Sequence, residues 1–246
     1  MDLKILAQEI AELFKKELKT NLLSVSIHGS VAQENYSDKS DIDFFLVLNK
    51  VDYPILNRIN ILRNKYEKAY SIDLSINIQK EEELPKHRGK YFYHKNRYAL
   101  FLYESKEIDK VLIGENPYLS DYAPSRKELI REAMQIVNSF PYFIRKYITN
   151  NKAKEFILKE VIRYSIIATQ YANIIINRYP LKTSESVIVF KENFQNFKYK
   201  DIPYLYLEYK KGIKKIKNRD QTITEGLEFL EELDRYLFKR IKDISL

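Results

Sequence analysis

Apolar residues recur with two different periods along this 246-residue chain, and the change near residue 120 divides it into two kinds of structure. In the first part, short β-like runs stand at LLSVSIHGS (22–30), IDFFLVL (42–48) and YSIDLSINI (70–78), the last with Ile72, Leu74, Ile76 and Ile78 on one face. A fourth, KVLIGENPY (110–118), breaks at Gly114 and Pro117. Helical spacing covers 3–19 through Leu6, Ile10, Leu13, Phe14 and Leu18, and a second helix-like segment follows Pro54 over 55–69. The polar stretch 80–90 is read as a loop. From Ser125 the spacing is three and four throughout, in runs at 126–149, 152–178, 185–197, 202–217 and 222–243, with breakers between them at Pro180, Pro203 and Gly212. The expected class is α+β: a mixed β-sheet flanked by helices over 1–120, then an all-α helical bundle over 121–246.

Charge divides the chain at the same place. Residues 1–120 carry 18 basic and 18 acidic side chains, whereas 121–246 carry 24 and 16, so the whole net charge of +8 belongs to the second part. Such an excess suits an anionic ligand such as a nucleotide or nucleic acid, and equally a set of solvated Lys-rich helix faces. There is no cysteine, which excludes disulfides, thiol nucleophiles, zinc–thiolate sites and iron–sulfur clusters. Three histidines, at 28, 87 and 94, do not make a His-rich metal site. No run approaches the ~20 apolar residues of a membrane span, and the charged opening stretch lacks the apolar core of a signal peptide. The expected location is the cytoplasm, with no membrane partner.

One constellation carries chemistry. A strand ends in His28-Gly29-Ser30, a polar loop follows, and Asp41-Ile42-Asp43 opens the next strand. Side chains two apart on a strand share a face, so Asp41 and Asp43 project together while Ile42 and Phe44 face the other way. Two adjacent carboxylates repel unless a cation lies between them, and an oxygen-only set with open positions suits Mg²⁺ shared with phosphates. Asp73, alternating with Ile72 and Leu74, is placed inside the third strand, where it would join the pair as a third ligand or as a base if that strand lies beside 42–48. Gly29 permits close approach of backbone to phosphate, and the Ser30 hydroxyl bonds phosphate oxygens. Taken singly, Gly-Ser is a common turn and Asp a common helix cap; the order and spacing of all three pieces make the case. His28 reads as a packed or hydrogen-bonded strand residue, and 87–98 and Lys210–Arg219 as solvated surfaces.

These residues resemble the DNA polymerase β-like nucleotidyltransferase superfamily, whose signature of Gly-Ser, Asp-x-Asp and a later Asp is matched here by Gly29-Ser30, Asp41-Ile42-Asp43 and Asp73. The short spacer looks most like the minimal and antibiotic-type members. More weakly, the helical part is similar to the C-terminal bundle of aminoglycoside adenylyltransferases, on the segment Tyr179–Glu185. That likeness implies that Lys182 reaches the nucleotide phosphates. No Arg/His ribonuclease motif is present in the bundle, and Glu160 is the acidic residue singled out there.

The resemblance implies Mg²⁺-dependent transfer of a nucleoside monophosphate, AMP from ATP or its equivalent from another NTP. Asp41, Asp43 and Asp73 would serve as catalytic and metal-binding residues with two Mg²⁺ ions, and Gly29, Ser30 and Lys182 as nucleotide-binding residues. The acceptor is a hydroxyl of a small molecule, a nucleic acid or a protein. The alternative is an antitoxin-type or non-catalytic nucleotide- or RNA-binding module on the same fold.

Overall fold

The computed structural model describes residues 2–34, 36, 40–84, 99–100, 103–104, 109–116, 124–179 and 181–243. The stretch 87–98, with His87 and His94, and the breakers Pro117 and Pro180 lie outside these residues. The chain divides into two compact units, Met1–Ala123 and Pro124–Leu246.

In the first unit, helix α1 (Leu3–Leu18) starts at Asp2, whose carboxylate accepts the Lys4 N–H at 2.9 Å. Its buried stripe, Leu3, Leu6, Ala7, Ile10, Ala11, Phe14 and Leu18, keeps helical spacing. Strand β1 (Leu22–His28) runs into a single helical turn, α2 (Gly29–Ala32), and β2 (Ile42–Leu48) follows. Helix α3 (Tyr53–Tyr70) begins at the Asp52 cap and has Pro54 in its first turn, where a missing N–H costs nothing. It leads to β3 (Leu74–Lys80), and with β4 (Lys110–Ile113) the described residues form a four-stranded sheet in the order β3-β2-β1-β4. β1 pairs antiparallel with β2 and with β4, while β2 and β3, joined through α3, are parallel.

The core lies on one face of this sheet. Val25, Ile27, Ile42, Phe44, Leu46, Leu48 and Leu74 pack there with the α1 stripe and with Ile59 of α3. Phe14 meets Phe44 edge to face at 5.7 Å. Burying each such side chain contributes about 1.5–3 kcal/mol. The opposite face takes the alternate residues, among them Ser26, His28, Asp43 and Phe45.

The second unit is helical, as its spacing predicts. It comprises α4 (Arg126–Thr149), α5 (Lys154–Asn173), α6 (Thr183–Asn193), α7 (Ile202–Lys210) and α8 (Arg219–Asp243). A capping box between Ser125 and Glu128 starts α4. α5 is central, packing against α4, α6, α7 and α8. The run 126–149 is one helix despite the Pro141 within it, whereas the breaker Pro203 sits in the first turn of α7 rather than between helices. The run 202–217 is not one helix: it stops at Lys210, and Gly212 at φ 71° turns the chain away.

Candidate active site

β1 ends at His28, and the chain turns at once into a helical conformation by way of Gly29, whose φ of 63° lies in the left-handed region. The turn closes with the Gln33 N–H donating to the Gly29 carbonyl at 3.1 Å. Val31 and Ala32 point into the core, which leaves Ser30 half-buried on the open side.

The register of the sheet brings the aspartates to this same end. Ile42 and Phe44 are wholly buried, so the period of two sends Asp41 and Asp43 to the other face. In the antiparallel β1–β2 ladder His28 stands opposite Asp43. In the parallel β2–β3 ladder Ile42 stands opposite Leu74 and Asp43 opposite Ser75, and the Ile42 N–H donates to the Asp73 carbonyl at 3.1 Å. Asp73 is therefore beside Asp41 in register and shares its face. It does not lie inside β3, as the periodicity predicts, but one residue before it, and it is exposed. The reason is the end of α3: Ser71 takes a left-handed conformation, Ile72 packs inward, and the ladder begins at Leu74, whose N–H is held by the Glu67 carboxylate at 2.9 Å.

Asp41 is exposed and Asp43 half-buried. A Cβ on Gly29 would lie 2.5 Å from Oδ2 of Asp43, so the glycine forms a cradle in which that carboxylate sits. Two hard oxygen donors on one side of a strand, one of them open to solvent, fit a Mg²⁺ ion that keeps several waters. Among the described residues, no three carboxylate or imidazole side chains gather closely enough to hold a metal, so Asp73 shares the face without having joined the other two.

Several supporting residues carry no local signal in the sequence. Glu34, in the connection between α2 and β2, is held by Lys110 at 2.6 Å and Lys4 at 2.7 Å despite a left-handed φ of 60°. Hydrogen bonds from Lys110 and then Lys4 bring its carboxyl down to about 2. In the same connection the Tyr36 hydroxyl donates to Asp2 at 2.8 Å, the leading cause of a lowered Asp2 pKa. The connection is thereby tied to the start of α1 and to β4. His28, a hydrogen-bonded strand residue as its position predicts, pairs through Nδ1 with Oδ1 of Asp109 at 2.8 Å.

Lys182 and Glu160 belong to the helical unit. Lys182 is the exposed residue that precedes α6. Glu160, largely buried on α5, is held by Arg163 at 2.9 Å.

Residues 8–98 match the family described as polymerase beta, nucleotidyltransferase, a span that contains Gly29, Ser30 and all three aspartates. The chain is also similar in fold to the crystal structure of spectinomycin adenyltransferase from Enterococcus faecialis with ATP and spectinomycin. The TM-score is 0.58 at 15% identity, over 91% of this chain and 97% of the other. No curated protein sequence matches the chain.

Proposed function

We propose, on the premise that this chain is a nucleotidyltransferase with a polymerase-β-type domain, that it moves AMP from ATP to a hydroxyl of a small molecule. The observation that carries this reading is the cradle in which Gly29 receives the Asp43 carboxylate, at the end of the sheet where Asp41 and Asp73 also lie. A small-molecule acceptor is preferred over nucleic acid or protein because the fold neighbour, a spectinomycin adenyltransferase, is matched along nearly its whole length. A cytoplasmic location, where ATP is at hand, fits this reading.

Asp41 and Asp43 would hold Mg²⁺, two ions in the active complex, which would supply positive charge beside the oxygens that enter and leave at the α-phosphate. Gly29 keeps the surface at the strand end free of a side chain, so the triphosphate can approach the backbone there. The Ser30 hydroxyl donates to a phosphate oxygen. Asp73 takes the proton from the acceptor hydroxyl as its oxygen bonds to the α-phosphorus. The bond from that phosphorus to its bridging oxygen breaks, and pyrophosphate leaves with the electron pair. Lys182 is a nucleotide contact in this reading by resemblance alone, and Lys182→Ala tests it as a rise in the KM for ATP.

The deciding experiment is calorimetric titration of ATP, with and without Mg²⁺, into the wild type and the Asp41→Asn/Asp43→Asn double variant. Binding that needs Mg²⁺ and disappears in the variant is the expected result. A wild type that binds ATP no better with Mg²⁺ than without it overturns the reading.

A further inference from the structure

Asp109, the residue before β4, keeps its carboxylate almost wholly from solvent, with its side chain 6% exposed. Oδ1 holds the His28 imidazole, but Oδ2 is buried and takes no hydrogen bond among the described residues. A carboxylate with one unsatisfied buried oxygen opposes folding, and an apolar pair in the place of a buried polar pair is often neutral or stabilising. Stability does not explain Asp109. Residues that break local rules in this way concentrate at functional sites.

What Asp109 holds is central to the proposed nucleotide site. His28 immediately precedes Gly29 and stands opposite Asp43 in the β1–β2 ladder. Its ring lies edge-on to Phe45, centroids 5.3 Å apart, two residues along β2 from Asp43. The imidazole is thus fixed between Asp109 and Phe45. The backbone that it anchors runs directly into Gly29, where a Cβ would lie 2.5 Å from Oδ2 of Asp43.

We propose that Asp109 is a positioning residue of the nucleotide site: acting through the His28 imidazole, it fixes residues 28–29 against Asp43 so that the nucleotide meets a preformed turn. The inference rests on the reading of Gly29, Ser30 and Asp43 as that site. Neither Asp109 nor His28 need touch the nucleotide.

The test uses the full chain, Mg-ATP as probe, and three variants: Asp109→Leu, Asp109→Asn and the double variant Asp109→Leu/His28→Phe. The double variant keeps a ring against Phe45 and leaves neither member of the pair buried without its partner. It is expected to melt at or above the wild-type temperature and to bind Mg-ATP about tenfold or more weakly, the scale of losing a supporting residue. Asp109→Leu alone should lose a similar factor. Asp109→Asn, whose amide oxygen still accepts from Nδ1, should stay within about threefold of the wild type. Wild-type affinity in the double variant overturns the proposal. So does a double variant that fails to fold or melts lower, since the pair is then a structural strut. A wild type without Mg-dependent ATP binding removes the underlying reading as well, whereas a binding wild type beside an unaffected double variant removes this inference alone.

Discussion

The carboxylate of Asp43 fills the space that any side chain on Gly29 would need: a Cβ there would meet Oδ2 at 2.5 Å and Cγ at 3.5 Å. Gly29→Ala therefore carries two penalties. The left-handed conformation costs an L-residue about 1–2 kcal/mol, and the clash is relieved when the Asp43 carboxylate swings aside. Urea denaturation should show a loss of about that size. Mg-ATP affinity of the folded protein should fall as well, because Asp43 has lost its place. Gly114 is the control. Its φ is 76°, and a Cβ there would meet the Leu23 carbonyl oxygen at 2.1 Å, a backbone atom that cannot rotate away. Gly114→Ala should cost stability and leave the affinity of the folded fraction intact. Wild-type Mg-ATP binding by Gly29→Ala would show that the cradle has no part in the site.

Glu34 gives the first unit an acid-sensitive attachment. Its carboxyl is lowered from an ordinary 4.5 to about 2, chiefly by Lys110 and then Lys4. A depressed folded-state pKa contributes stability that is present in full above 4.5 and is lost as pH falls through about 2. The group is exposed, so the contribution is small and screened by salt. The stability difference between the wild type and Glu34→Gln, from denaturant melts, should be constant from pH 7 to 5 and shrink steadily below 4.5. A difference that stays level down to pH 3 would show that the ion pairs do not hold the connection.

Gly29, Ser30, Asp41 and Asp43 were legible because local rules place them. A glycine turn ends one strand, and strand alternation orients two aspartates on the next. Asp73 was legible as a neighbour of β2 but not in its surroundings, since the left-handed Ser71 and the Glu67 carboxylate at the Leu74 N–H decide where the ladder begins. Asp109 was not legible at all. Its meeting with His28 depends on β4 pairing with β1, and four half-buried residues of β4 carry no mark of their partner. In the bundle, spacing located the helices, but the Lys-rich periodicity runs on past the breaker Gly212 to 217 and concealed the end of α7 at Lys210.

Ser165, fully buried on α5, has a hydroxyl with no hydrogen-bond partner among the described residues. Burying an unpaired hydroxyl costs about 1–3 kcal/mol, so Ser165→Ala should be neutral or stabilise by about 1 kcal/mol. One turn on, the equally buried Thr169 hydroxyl stands 3.0 Å from the Ser186 hydroxyl and donates to the Ile166 carbonyl at 2.7 Å. Thr169→Val should destabilise by about 1 kcal/mol. Opposite signs in paired thermal melts are expected; a loss at Ser165 would mean that its hydroxyl is satisfied in solution.

Gly226 should reverse the usual rule for glycine in helices. Replacing a helical glycine with alanine ordinarily gains about 1 kcal/mol, because the unfolded chain loses freedom. Gly226 lies within α8 where that helix crosses α5. A Cβ there would stand 2.2 Å from Cγ1 of Val161 and 2.9 Å from the Tyr206 hydroxyl. Neither neighbour can yield cheaply. Val161 is β-branched and wholly buried, and Tyr206 is fully buried with its hydroxyl donating to the Thr222 carbonyl. Overpacking of this kind costs about 1–3 kcal/mol, which exceeds the gain in helix propensity. Gly226→Ala should therefore lower the melting temperature. Gly226→Ala combined with Val161→Ala, which opens the facing space, should recover part of the loss relative to the sum of the single changes. Strict additivity of the two substitutions would show that α8 and α5 do not meet at this point in solution.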